Sequence, residues 1–171
     1  MWFNSTTRDI FRSHYVKKRG AAAFVFWKTV LGCDHYVGRG RLPPDVGLQL
    51  YYALLDCHLT HGCDTAIDVD ETSFAQLNGL NLVFLRRILG VGKRSGVAQL
   101  YSELGVYPLR VRRALLALQY LGYLFDLPDE HFARKSLVEA DRLRSLDFSS
   151  WYGDLAIVLR DLPFAAPALP S

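Results

Sequence analysis

The sequence predicts an all-α fold, a compact bundle of about seven helices, and three observations carry that expectation. Apolar residues recur at helical spacing in successive stretches, and almost nothing reads as strand. Proline, serine or threonine opens most of these stretches and glycine closes several, as helix ends require. Hydrophobic residues make up 50% of the 171 residues, which gives one domain enough material for a core and argues against disorder.

Thr6 and Thr7 are expected to cap a first helix over roughly 8–35. Its weak point is Gly20, where Lys17-Lys18-Arg19 gives way to Ala21-Ala22-Ala23 and then Phe24, Phe26 and Trp27. Gly38 to Leu42 is a loop, and Pro43-Pro44 starts the next helix. Along it Asp45, Gln49, Tyr52, Asp56 and Thr60 form one polar stripe, leaving Val46, Leu50, Leu54 and Leu55 to be buried. Gly62 ends this helix, and Asp64 to Glu71 is an acidic connector. A third helix over about 73–89 carries Leu77, Leu80, Phe84 and Ile88 on one face. Ser95 is expected to cap a short helix to Glu103, closed by Gly105. Pro108 opens a long helix with Val111, Leu115, Leu118, Leu121 and Phe125 as its inner stripe. Pro128 and Asp129 mark a boundary before a more polar helix to about Leu146, and Ser149-Ser150 caps a last one from Trp151 to Leu162. The domain is expected to span 1–162, with 163–171 as a frayed Pro/Ala-rich tail.

The net charge of +3 is unevenly spread. Residues 1–113 hold 15 Lys/Arg against 9 Asp/Glu, whereas 114–171 hold 5 against 8. A basic first part suits contact with phosphate along one side. Three cysteines, Cys33, Cys57 and Cys63, are odd in number and do not suggest a secreted disulfide framework. No signal peptide is legible around Arg8, Asp9 and Arg12, and no apolar run reaches the ~18 residues of a membrane span. These features point to an intracellular protein, nuclear or cytoplasmic, without a membrane partner.

The most informative segment runs from Leu80 to Phe125 and carries Leu85-Arg86-Arg87-Ile88-Leu89-Gly90, then Lys93-Arg94-Ser95, Leu100 to Gly105 with Glu103, and Pro108-Leu109-Arg110-Val111-Arg112-Arg113. Its order and spacing resemble the helical thumb and post-thumb region of fungal non-LTR retrotransposon reverse transcriptases. The resemblance extends to Ser5-Thr6-Thr7, Phe11, His14-Tyr15, Gly38-Arg39, Leu42, Asp56-Cys57-His58-Leu59, His61-Gly62-Cys63 and Ser150-Trp151-Tyr152-Gly153-Asp154-Leu155. It implies a region that holds the template and primer duplex beside a catalytic palm. Polymerases of that family need paired aspartates to hold two metal ions, and this sequence contains no Asp-Asp. Asp70-Glu71 and Asp129-Glu130 stand at expected helix starts, where acids favour the dipole. The chain is therefore expected to be a non-catalytic piece beginning just past the palm, with Met1-Trp2-Phe3 the remnant of the preceding strand. A palm-containing polypeptide would be its missing partner.

Cys57, His61 and Cys63 form the most metal-like cluster, since thiolate and imidazole suit zinc. A structural zinc takes four ligands and no second pair is visible, so the alternative is a buried thiol and a hydrogen-bonded imidazole; no cofactor is expected. Gly90 to Gly96 fails as a nucleotide loop, because Arg94 stands where a Ser or Thr is needed and a helix precedes it. Its amides with Lys93, Arg94 and Ser95 nevertheless suit a phosphate oxygen. Arg86 and Arg87 precede them, and Arg110 and Arg113 share a helix face beside Ala114 and Ala117, where small residues would let a sugar-phosphate backbone approach. The expected ligand is an RNA/DNA hybrid or duplex backbone, bound weakly and without sequence preference; the alternative is a solvated basic surface. Tyr51, Tyr52, Tyr120 and Tyr123 read as core more readily than as base-stacking platforms. Two rival functions remain: a helix-turn-helix DNA binder on 73–105, and a helical protein-interaction scaffold.

Overall fold

The computed structural model describes residues 17, 18, 20, 21, 23–25, 28, 43–67 and 69–162. All regular structure among them is helical, so the all-α class holds. The expected Thr6-Thr7 cap, the loop at 38–42, Cys33 and the tail from 163 lie outside the described residues; those described between 17 and 28 are helical. The described residues divide into two compact units, one holding those up to 61 and 71–109, the other 62–67, 69, 70 and 110–162.

In the first unit, Pro43 precedes α1 (Pro44–Leu50) with Pro44 in its first turn, as proline's fixed φ favours. The helix passes without a break into a π-helical segment, Tyr51–Asp56, and then α2 (Cys57–Thr60). That segment corrects the single polar stripe expected here. Asp45, Gln49 and Tyr52 are exposed, but Asp56 is buried and Leu54 is exposed. A π turn holds more residues than an α turn, so side chains beyond it rotate off the 3.6-residue face. α3 (Glu71–Ile88) buries Phe74, Leu77, Asn81, Phe84, Leu85 and Ile88, with Leu80 packed against them. Gly47 lies where α1 meets α3, and a Cβ there would stand 3.0 Å from the Ile88 side chain, which would have to shift by a few tenths of an ångström to admit it. α4 (Val97–Leu104) adds Leu100 and Leu104 to the buried set and ends at Gly105, as expected.

The second unit is built on α5 (Leu109–Asp126), α6 (Phe132–Ser145) and α7 (Trp151–Arg160). Its core gathers Ala114, Ala117, Leu121 and Leu124 of α5, Leu137 of α6, and Tyr152, Leu155, Val158 and Leu159 of α7. Of the expected inner stripe of α5, Val111 and Leu121 are buried and Leu118 packs against the core, but the other two members are turned out. Leu115 is 45% exposed and Phe125 42%, while Ala114 and Ala117 are buried. Leucines surround this helix on most sides, so spacing alone leaves the face open. The alanines decide it, because their small side chains sit in the core with Leu155 and Val158 and line a small cavity there with Cys63 and Ile67. Ser150 caps α7 as expected, accepting from the Gly153 amide at 3.2 Å. Trp151 Nε1 donates to the Asp64 carbonyl at 2.9 Å, tying the acidic connector to this helix. No described helix is long and apolar enough to cross a membrane.

Candidate nucleic-acid interface

The basic loop owes its shape to the way α3 ends. Gly90 takes φ 66°, which a side chain would resist. Its amide bonds the Arg87 carbonyl at 3.1 Å, and the Val91 amide bonds the Arg86 carbonyl at 3.0 Å. This pair of bonds is a Schellman ending. It sets Arg86 and Arg87 in the last turn, where the helix dipole favours cations. The chain then turns again, with the Ser95 amide bonding the Gly92 carbonyl at 3.1 Å, and enters α4.

Ser95 does not cap that helix. Gly96 holds the N-cap position without a side-chain bond, and the Ser95 hydroxyl donates instead to the Gly92 carbonyl at 2.8 Å. A Cβ on Gly96 would meet the Gln99 side chain at 2.9 Å, so glycine here admits the folded-back Gln99. Arg86 braces the loop through two long contacts, Nε donating to Ser95 Oγ at 3.4 Å and Nη2 to the Ser95 carbonyl at 3.5 Å. Lys93 and Arg94 are exposed on the loop so formed, and Arg87 is half-buried with partners inside the fold.

Sequence reasoning missed the polar cluster beneath Arg86. The Tyr51 hydroxyl donates to Asn81 Oδ1 at 2.8 Å, both residues fully buried. The Tyr101 hydroxyl donates to Asn78 Oδ1 at 3.4 Å. Burial pushes the Tyr101 pKa above its ordinary 10.0, against the Asn81 amide, the Leu109 backbone amide and the Arg86 charge, which favour the phenolate. Asn81 Nδ2 is buried with no acceptor in hydrogen-bonding geometry, so it acts on Tyr101 as a nearby dipole more than as a formed bond. The available signal was the spacing Phe74, Leu77, Asn81, Phe84, Ile88, which assigns Asn81 to the buried face.

Arg110 and Arg113 belong to the second unit. Arg113 is only 3% exposed and Arg110 half-buried, and both have partners in the fold. The alanines meant to admit a sugar-phosphate backbone are core, and with Arg113 they line a cavity of about 10 Å³, room for roughly one water. The proposed face on α5 is therefore interior packing, and Arg113 is withdrawn from the candidate interface. Of the metal-like cluster, Cys57 and His61 are exposed and Cys63 is buried. Cys57 Sγ turns to the Leu54 carbonyl at 3.7 Å, and no group of three metal-binding side chains occurs among the described residues. In α4, the reader helix of the helix-turn-helix alternative, Leu100 and Leu104 are buried, and the exposed side carries Val97 and Ala98, which offer no group to a base edge, beside Gln99, Ser102 and Glu103, which do. Comparison with known protein families, with curated proteins and with solved structures finds no match to this chain.

Proposed function

We propose that the chain is a non-catalytic helical module that contacts the sugar-phosphate backbone of an RNA/DNA hybrid or duplex through the loop between α3 and α4. The observation that carries the reading is the braced basic loop: Arg86 holds Ser95 while Lys93 and Arg94 stand exposed two and one residues before it. Phosphate contacts need cations fixed in position but open to the ligand, and they supply affinity without reading sequence. The resemblance to the thumb region of non-LTR reverse transcriptases agrees with that use, and it makes a palm-containing polypeptide the natural partner. The absence of Asp-Asp from the sequence supports the non-catalytic half of the reading.

The test is titration of a labelled hybrid and a labelled DNA duplex at several salt concentrations. Weak binding to both, with affinity falling steeply as salt rises, is the expected result. Binding that ignores salt, or none at low salt, would remove the proposal. A scaffold role is favoured by one separate observation, the exposed Phe132, Val138 and Phe148 on and after α6. Under that reading, nucleic acid leaves the chain unbound and a protein partner covers these side chains.

A further inference from the structure

Among the described residues three serines closely follow basic residues, and their surroundings differ. Ser136 follows Arg134-Lys135, and Ser145 follows Arg142 and Arg144. Both lie within α6 and turn their hydroxyls to their own helix, Ser136 to the Phe132 carbonyl at 3.0 Å and Ser145 to the Arg142 carbonyl at 2.7 Å. Ser95 follows Lys93-Arg94 in a loop whose other residues from 91 to 96 are all exposed. Phosphoryl transfer needs the acceptor hydroxyl in line with the γ-phosphate and against a catalytic base. A loop can adopt that pose even though Ser95 itself is half-buried, whereas Ser136, exposed but within α6, and Ser145, its exposed last residue, must first unwind helical turns.

We propose that Ser95 is a phosphorylation site for a protein kinase that selects basic residues before its acceptor, and that the phosphate, held by Arg86, closes the basic loop to nucleic acid. The second half rests on the function proposed above. In the reaction the bond between the γ-phosphorus of ATP and its bridging oxygen breaks, and a bond from Ser95 Oγ to that phosphorus forms. The hydroxyl proton passes to the kinase's base, and ADP leaves.

The receiving geometry exists before the phosphate arrives. Arg86 Nε already lies 3.4 Å from Ser95 Oγ, and a phosphate there offers three acceptor oxygens to the same guanidinium. The hydroxyl's bond to the Gly92 carbonyl is lost, and charge-assisted bonds to Arg86 replace it. Ser95 also directly precedes the N-cap of α4, where no side chain caps the first amides and negative charge is favoured. The added charge of about −2 offsets roughly half of the four cations Arg86, Arg87, Lys93 and Arg94.

The experiment treats the full chain with Mg-ATP and a kinase of this specificity, then maps the phosphate by tandem mass spectrometry. Modification of Ser95, abolished by Ser95→Ala, is expected; modification of Ser136 or Ser145 with Ser95 untouched overturns the proposal. The phosphorylated chain should melt about 2–4 °C above the unmodified one, with the gain absent in Arg86→Gln and partial in Arg86→Lys. A ³¹P titration needs no variant: the phosphate's second pKa should lie below that of the same phosphoserine in an unfolded peptide. An unchanged pKa, or a melting gain that survives without Arg86, sinks the Arg86 clamp. Duplex affinity at low salt should fall at least tenfold, and the log-log salt slope by about two units. Equal affinity before and after modification overturns the regulatory half. If the unmodified chain binds no duplex, the function proposed above falls along with that half, while melting and the ³¹P titration still decide the clamp.

Discussion

Arg94 and Arg113 mark the two fates of a basic residue in this chain. Arg94 is exposed, and substituting an exposed charge changes stability little. Arg113 is buried beside Ala114 and Ala117, so Arg113→Gln leaves polar groups without partners in a packed interior. Urea unfolding should find Arg113→Gln destabilised by about 1–3 kcal/mol, against less than about 0.5 kcal/mol for Arg94→Gln. Equal effects would mean that Arg113 is not held as the structure has it. Tyr101 gives a pH-dependent expectation. Its pKa is raised in the folded protein, so the unfolded chain loses the phenol proton first. The contribution is fully present below the ordinary value of 10.0 and is lost as pH rises through the folded pKa. The urea midpoint of the parent, compared with Tyr101→Phe, should therefore decline faster above about pH 10; parallel curves would contradict this. Neither residue's place was legible from the sequence. An arginine in Val111-Arg112-Arg113-Ala114 looks the same whether its helix turns it inward or outward, and the face was read only in part, with Val111, Leu118 and Leu121 right and Leu115 and Phe125 wrong, because leucines flank the alanines on both sides.

Helix ends were the most legible elements, because capping chemistry is local. Ser150 over α7 and the glycines at 62 and 105 stand where the sequence expected them, both glycines with positive φ. The α3 face was legible because Leu77, Leu80, Phe84 and Ile88 repeat at helical spacing, although the run Leu82-Val83-Phe84-Leu85 hid that Leu85 is buried too. The π-helical segment was not, since no local residue signals an extra residue in a turn, and packing around the buried Tyr51 and Leu55 decides it. Ser95 was misassigned because its hydroxyl had a nearer partner in Gly92. Two element-scale outcomes follow. Deleting the exposed Ala53 should return the π segment to α geometry with melting little changed. Deleting Gly79 from the middle of α3 should unfold the chain, because Asn81, Phe84 and Ile88 would turn by about 100° from Phe74 and Leu77. Comparable melting of the two deletions would contradict the segment's assignment. At the end of α6, Asp147 takes φ 62° within a Schellman ending, the Phe148 amide bonding the Leu143 carbonyl at 2.9 Å. Asp147→Gly should relieve that strain and stabilise the chain by about 0.5–1 kcal/mol in thermal unfolding; a loss would contradict it.

Across the whole molecule, the all-α class was legible from period and punctuation, and so was the charge asymmetry, with 15 basic against 9 acidic residues up to position 113. The candidate interface was legible in part. Arg86, Arg87, Lys93, Arg94 and Ser95 are consecutive enough for one turn to gather them, whereas Arg110 and Arg113 depended on a helix rotation that sequence spacing left open. A chain without Asp-Asp should give no primer extension with template, primer, deoxynucleotides and Mg²⁺; dose-dependent extension would contradict the non-catalytic reading. The central claim is that the loop between α3 and α4 grips a phosphate backbone. Its most direct test is salt-dependent binding of a labelled hybrid by the parent chain and by Lys93→Gln/Arg94→Gln, with melting recorded for both. The account predicts unchanged melting, weaker binding and a log-log salt slope reduced by about two units, one for each lost phosphate contact. A folded double variant that binds like the parent, with the same slope, would contradict it.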